Sequence, residues 1–240
     1  MFKKTTFASS TTKIILNGLC ALLVSLIFWM EGCKNKQEAT QPVVKQEEPK
    51  VDSAQANKKN IVFFGNSLTA GYGVEQAEAF PALVQAKIDS LNLPYKVINA
   101  GLSGETTAGG NTRIDWLLNQ PLDIFILELG GNDGLRGIPV SETIKNLQSI
   151  IDKVKAKYPS ATIILAGIQV PPNMGSKYST EFKSVFPQLA EKNKVELIPF
   201  VLEGVGGVPE LNQGDGIHPT EAGHKIVAET VWKVLQNDLK

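Results

Sequence analysis

Five short, mostly apolar runs, at residues 61–64, 95–99, 122–129, 161–168 and 195–199, alternate with longer stretches of helical spacing at 79–91, 112–119, 141–158, 180–193 and 221–239. The runs are rich in Val, Ile, Leu and Phe and lack a polar-apolar alternation, as expected for strands covered on both faces. Strands separated by helices pair in parallel, because a parallel partner is reached only through a crossover. This order predicts an α/β fold: a doubly wound, mainly parallel five-stranded sheet with helices on both faces. In such sheets ligands bind beyond the carboxyl ends of the strands. Residues just after the apolar runs are therefore where chemistry is to be sought.

The 240 residues, 42% of them hydrophobic, suffice for one well-buried core, and the repeating pattern starts only near Asn60. Before it lies a different kind of sequence. Lys3, Lys4 and Lys13 precede a nearly continuous apolar stretch from Ile14 to Met30, which ends at Glu31-Gly32-Cys33. That order of charge, apolar run and small residue is expected of a secretory signal peptide. The cysteine after Gly32 resembles the bacterial lipoprotein signal, with residues 1–33 as leader and Cys33 as the lipidated residue. The alternative is an uncleaved anchor helix, although the stretch is slightly short of the roughly 20 residues that span a bilayer. Either reading places the protein outside the cytoplasm, in the cell envelope and tethered to a membrane. Residues 34–59, rich in Gln, Glu, Lys and Pro, read as a disordered linker, leaving 60–240 as the folded domain.

The composition narrows the function further. Lys+Arg and Asp+Glu balance at 24 each, with no basic stripe between aromatics, so nucleic acid is not an expected partner. The only cysteines are Cys20 and Cys33, and no His/Cys cluster has metal-ligand spacing, so neither a disulfide framework nor a metal site is expected in the domain. No phosphate-binding glycine loop stands where one would be needed, no cofactor is called for, and the chain is expected to act as a monomer.

Three groups suited to nucleophilic catalysis remain. Ser67 follows the first apolar run in Gly65-Asn66-Ser67-Leu68, and Asp215 and His218 stand three residues apart in Asp215-Gly216-Ile217-His218-Pro219. A serine hydroxyl becomes a good nucleophile when a base takes its proton, and an imidazole serves best when a carboxylate fixes its tautomer. Each residue also has a plainer use: Ser67 as a helix cap, Asp215 as a turn aspartate before glycine. The chain holds two histidines. His224 lies inside the last helix, whereas Pro219 suits a helix start that leaves His218 on the loop before it.

Taken with Gly101 after the second run and Gly130-Gly131-Asn132-Asp133 after the third, these segments resemble the SGNH (GDSL-type) hydrolase superfamily. The resemblance is closest to bacterial multifunctional esterases active as thioesterase, lysophospholipase and arylesterase. It covers the chain from about Asn60 to the C-terminus. It implies a flavodoxin-like sheet, Ser67 as nucleophile, His218 as base and Asp215 as its orienting acid. It also implies an oxyanion hole formed by Ser67, Gly101 and Asn132. Asp133 then holds the Asn132 loop, and Gly104, Gly109 and Gly110 serve loop geometry. One departure is plain: the family usually has Asp before the serine, and here Asn66 stands there.

Leu135, Ile138, Pro139, Val140, Pro171, Pro172, Met174 and Tyr178 lie in loops near these blocks. Of them Leu135, Ile138, Pro172 and Met174 are expected to contact an acyl group. The implied substrate is a small ester, thioester or lysophospholipid. Two alternatives stay open: a carbohydrate O-acetyl esterase, and a surface lipoprotein that keeps the fold but only binds a ligand.

Overall fold

The structure, a computed structural model, describes residues 58–240. The expected leader at 1–33, with Cys33 as its expected lipidation residue, and residues 34–57 of the expected linker lie outside the described residues.

Five strands form one sheet in the order β2-β1-β3-β4-β5, and all four pairings are parallel. They are β1 (Lys59–Gly65), β2 (Tyr95–Gly101), β3 (Ile124–Glu128), β4 (Thr162–Ala166) and β5 (Glu196–Ile198). β1 begins at Lys59, whose N–H donates to Pro94 O, one residue before the expected start of the folded domain. The order is that of flavodoxin-like folds, in which the connection reverses direction between β1 and β3. β3 is buried at all five positions, and Ile61 to Phe64 of β1 are 2% exposed or less. This is why neither strand shows a period of two.

The long helices are α2 (Phe80–Ser90), α3 (Thr107–Leu117), α5 (Val140–Lys157), α6 (Ser176–Asn193) and α7 (Glu221–Leu235); α1 (Ser67–Ala70) and α4 (Gly131–Leu135) are single turns after β1 and β3. Right-handed crossovers put α3, α5 and α6 on one face and α2 with α7 on the other. α5 buries Thr143, Leu147, Ile150, Ile151 and Val154, one stripe at helical spacing. Three boundaries differ from the sequence reading by four residues or more: the starts of α3 and α6 and the end of α7. α3 starts five residues before 112, capped by the Thr106 hydroxyl, which accepts from Gly109 N–H. Its glycines hid it: a Cβ on Gly110 would stand 2.4 Å from Leu129 Cδ1, so this turn is glycine-rich because it packs closely on the sheet. α6 starts at Ser176, four residues before 180. α7 starts at Glu221 as read, under a Thr220 cap with Pro219 before it bridging Asn212, but ends at Leu235, four residues short of 239.

Candidate active site

Gly65, the last residue of β1, lies between Gly101 of β2 and Glu128 of β3, at the point where the sheet reverses direction. The chain turns there into α1. Asn66 caps that turn, its Oδ1 accepting from Leu68 N–H at 2.9 Å. Ser67 thereby occupies the first helical position, where its backbone N–H has no intrahelical acceptor. Its hydroxyl lies 2.8 Å from His218 Nε2.

His218 reaches this point on the loop between β5 and α7. Asp215 makes two kinds of contact at once. Its Oδ1 accepts from the N–H groups of Ile217 and His218 at 2.9 and 3.0 Å, closing a tight turn. Its Oδ2 lies 2.6 Å from His218 Nδ1. Gly216 makes the turn possible at φ +69°, in the left-handed region. The turn aspartate and the imidazole's partner are therefore one residue. Burial works to raise the Asp215 carboxyl, but the bonds from His218 and Ile217 outweigh it and bring the group down to about 2. It is ionised throughout the working range. Gln213, which the sequence did not single out, ties the loops together by donating through Nε2 to Tyr72 O (2.7 Å), while its own N–H donates to His218 O. The Tyr72 ring rests on the imidazole, with centroids 4.7 Å apart.

The oxyanion residues divide. Asn132, in α4, lines the cavity beside Ser67. One of its Nδ2 hydrogens goes to Glu105 O at 2.9 Å, leaving the second free among the described residues. Glu105 is itself held by a two-pronged pair with Arg113. Asp133 accepts from the Thr107 hydroxyl and N–H and so fastens α4 to the start of α3. Gly101 does not fit the expected part. Its N–H donates to Asn99 Oδ1 at 2.9 Å, and a Cβ there would stand 2.2 Å from Ala70 N, so this glycine serves strand-to-helix packing. In the loop that follows β2, Gly104, at φ +80° with open space around it, has an N–H without a partner among the described residues. Arg136 holds its carbonyl, next to the peptide that anchors Asn132.

A cavity of about 590 Å³ opens over Ser67 and His218. Its walls are Ile168, Val170 and Pro171 after β4, Phe200 and Leu202 after β5, and Leu135 and Ile217 at the mouth. Of the expected acyl contacts, Leu135 is present. Ile138, which offers its carbonyl to the Tyr178 hydroxyl, and Met174 are not among the described residues that line the cavity, and Pro172 lies in the 3-10 turn Pro172–Met174. The missed residues come from the two irregular loops after β4 and β5, whose paths no periodicity reveals.

His224 is not part of the site. It is 1% exposed, and its Nδ1 accepts from Phe80 N–H at 3.3 Å. Burial, helped by the charge of His218, lowers its pKa to about 4. An unfolded chain takes up this proton near 6.5, so the neutral ring's contribution is complete above 6.5 and is lost as pH falls through about 4. We expect His224→Gln, which can still accept from Phe80, to lose less stability than the parent between pH 6.5 and 4 in thermal melts. Parallel curves would refute the assignment.

The family model described as GDSL-like Lipase/Acylhydrolase matches residues 63–226. Esterase TesA of Pseudomonas aeruginosa is 39% identical over 183 residues, 76% of this chain and 90% of its own. Thioesterase 1/protease 1/lysophospholipase L1 of Escherichia coli K12 is 38% identical over 177 residues, 73% of this chain and 83% of its own. The crystal structure of the psychrotrophic esterase EstA from Pseudoalteromonas, inhibited by monoethylphosphonate, superposes with a TM-score of 0.70 at 35% identity, covering 75% of this chain and 98% of that one. With the sheet order, the serine on the first turn and the matched span all in accord, the chain belongs to the GDSL-like lipase/acylhydrolase family.

Proposed function

We propose that the chain is a serine esterase that hydrolyses carboxylic esters and thioesters through an acyl-enzyme, with Ser67, His218 and Asp215 as its triad. The observation that carries this reading is the unbroken series Ser67 Oγ–His218 Nε2 at 2.8 Å and His218 Nδ1–Asp215 Oδ2 at 2.6 Å. In the reaction Ser67 Oγ attacks the acyl carbon and its proton passes to Nε2, while Asp215 holds Nδ1–H and offsets the imidazolium charge. The carbonyl oxygen gains negative charge and turns toward the Ser67 N–H, the free Asn132 hydrogen and the Gly104 N–H, the last in place of Gly101. Nε2 then protonates the departing alkoxide or thiolate. Water follows the same path, delivering its proton to Nε2, and the acid leaves with Ser67 restored.

The apolar walls suit an acyl chain, and the relatives' names, which include esterase, thioesterase and lysophospholipase, point the same way. A series of p-nitrophenyl esters of rising chain length tests this. We expect kcat/KM to be sustained from acetate through medium-length chains. Activity confined to acetate would favour the alternative, a carbohydrate deacetylase. Asn132→Ala should lower kcat by about 10²- to 10³-fold with little effect on KM, because the donor acts on charge that develops only in the transition state. An unchanged kcat would remove Asn132 from the oxyanion hole.

A further inference from the structure

Glu128 ends β3 as a fully buried carboxylate, 1% exposed, directly beneath the turn that carries Ser67. Three donors of that turn converge on it. Asn66 Nδ2 lies 2.8 Å from Oε1, and Asn66 N–H and the Thr69 hydroxyl lie 3.3 and 2.8 Å from Oε2. The recess is shaped for these groups: a Cβ on Gly65 would stand 2.1 Å from Thr69 Oγ1 and 2.6 Å from Glu128 Oε2. A buried carboxylate is costly to keep unless its lone pairs are satisfied, and here the donors that satisfy it all belong to the nucleophile's own turn.

We propose that Glu128 is a positioning residue for Ser67: its carboxylate, held by the Asn66 amide, locks the residue 66–69 turn so that Ser67 Oγ stays on His218, and proton uptake by Glu128 loosens that lock. This role presupposes Ser67 as the nucleophile. It also gives Asn66 a purpose. An aspartate there would set a second carboxylate against Glu128 at hydrogen-bond distance, and two such groups must share a proton. The amide donates without that proton, so one negative charge remains, on Glu128.

A proton on Glu128 has no good place. On Oε1 it opposes the Asn66 Nδ2 hydrogens. On Oε2 it opposes Asn66 N–H, and only the Thr69 hydroxyl can reverse to accept it. Burial pushes Glu128 up to about 7, opposed by the hydrogen bonds of Thr69 and Asn66, and among the described residues no charged side chain shifts it further. Its protonation therefore falls where the enzyme would work. On the acid side proton uptake by Glu128 thus lowers turnover, in addition to the need for a neutral His218 as base.

The test is a charge swap. Glu128→Gln should lower kcat about a hundredfold, the effect of misplacing a reacting group, with KM within about threefold. A glutamine offers its oxygen to Asn66 N–H and Thr69 but turns its NH₂ against Asn66 Nδ2. Asn66→Asp combined with Glu128→Gln restores every contact, because the carboxylate introduced by Asn66→Asp accepts from that NH₂ and still caps Leu68 N–H. The double variant should recover most of the lost kcat. The parent's log(kcat/KM) should fall on the acid side with a slope that rises above one toward two until the hundredfold loss is complete, and the double variant's with a slope near one throughout.

Parental kcat in Glu128→Gln, or a folded double variant no more active than Glu128→Gln, would overturn the role. If Glu128→Gln does not fold, the double variant and the parent's slope decide, and a parental slope of one counts against it. A Ser67→Ala control separates the failures: an active control sinks the triad, whereas an inactive control with an unimpaired Glu128→Gln sinks only the role of Glu128.

Discussion

Replacing Ser67 with Ala is expected to lower ester turnover by about 10⁶-fold while the domain stays folded, the scale seen when a triad nucleophile is removed. The two halves of that result have separate causes. Ser67 Oγ makes one good contact, with His218 Nε2, and a second at 3.4 Å from Asn66 Oδ1. The Asn66 cap and the backbone turn do not use the hydroxyl. Losing Oγ leaves Nε2 at the edge of an open cavity, where water can replace it, so the change in stability should be within about 1 kcal/mol. The rate falls because among the described residues no other hydroxyl bonds Nε2, and covalent catalysis is lost. Steady-state hydrolysis of a p-nitrophenyl ester, a thermal melt and labelling by a serine-directed fluorophosphonate provide the measurements. The parent should gain one adduct on Ser67 and the variant none. A parent that neither labels nor turns over any ester would favour the ligand-binding lipoprotein, with the fold kept and the chemistry absent.

The sheet was legible in the sequence because burial on both faces leaves a chemical mark. Runs such as Phe63-Phe64 and Phe125-Ile126-Leu127 cannot face water, and each run fell within one or two residues of its strand at most ends. The one-turn helices α1 and α4 left no such mark. They follow from capping by Asn66 and from Gly130 at φ +119°, which are local events without periodicity. The first turn of α3 was hidden because Gly109 and Gly110 read as loop, although the glycine is what lets that helix approach the sheet.

The candidate site was legible where function lies in side-chain type and short spacing. Asp215 and His218 stand three apart, and a single glycine turn joins them. It was illegible where function lies in a backbone amide. Gly101 and Gly104 are the same residue type three positions apart, and only the folded backbone tells them apart: Gly101 bonds Asn99 and packs on Ala70, whereas Gly104 stands at φ +80° in open space. Glu128 was visible in principle. A lone glutamate inside an eight-residue apolar run must be buried or end the strand, and here it does both. The cavity walls at Phe200 and Leu202 depend on how two loops fold over the sheet, which no local pattern encodes.

Asp215→Asn is expected to lower kcat near pH 7 by about 10⁴-fold, and the reason is a forced tautomer. Oδ1 of Asp215 accepts two backbone N–H groups, from Ile217 and His218. In the variant the amide oxygen must take that place, since an NH₂ there would confront two donors. The NH₂ then occupies the position of Oδ2, 2.6 Å from His218 Nδ1, and Nδ1 can only accept. The ring proton moves to Nε2, which donates to Ser67 Oγ and can no longer receive its proton. The backbone turn survives because its acceptor survives, so melts of variant and parent should lie close together. Asp215→Ala gives the contrast: it removes the turn's acceptor as well as the imidazole's partner, and should lose turn stability along with rate. An Asp215→Asn enzyme with kcat near the parent's would show that the carboxylate holds only the loop, and His218 would then need another source of orientation.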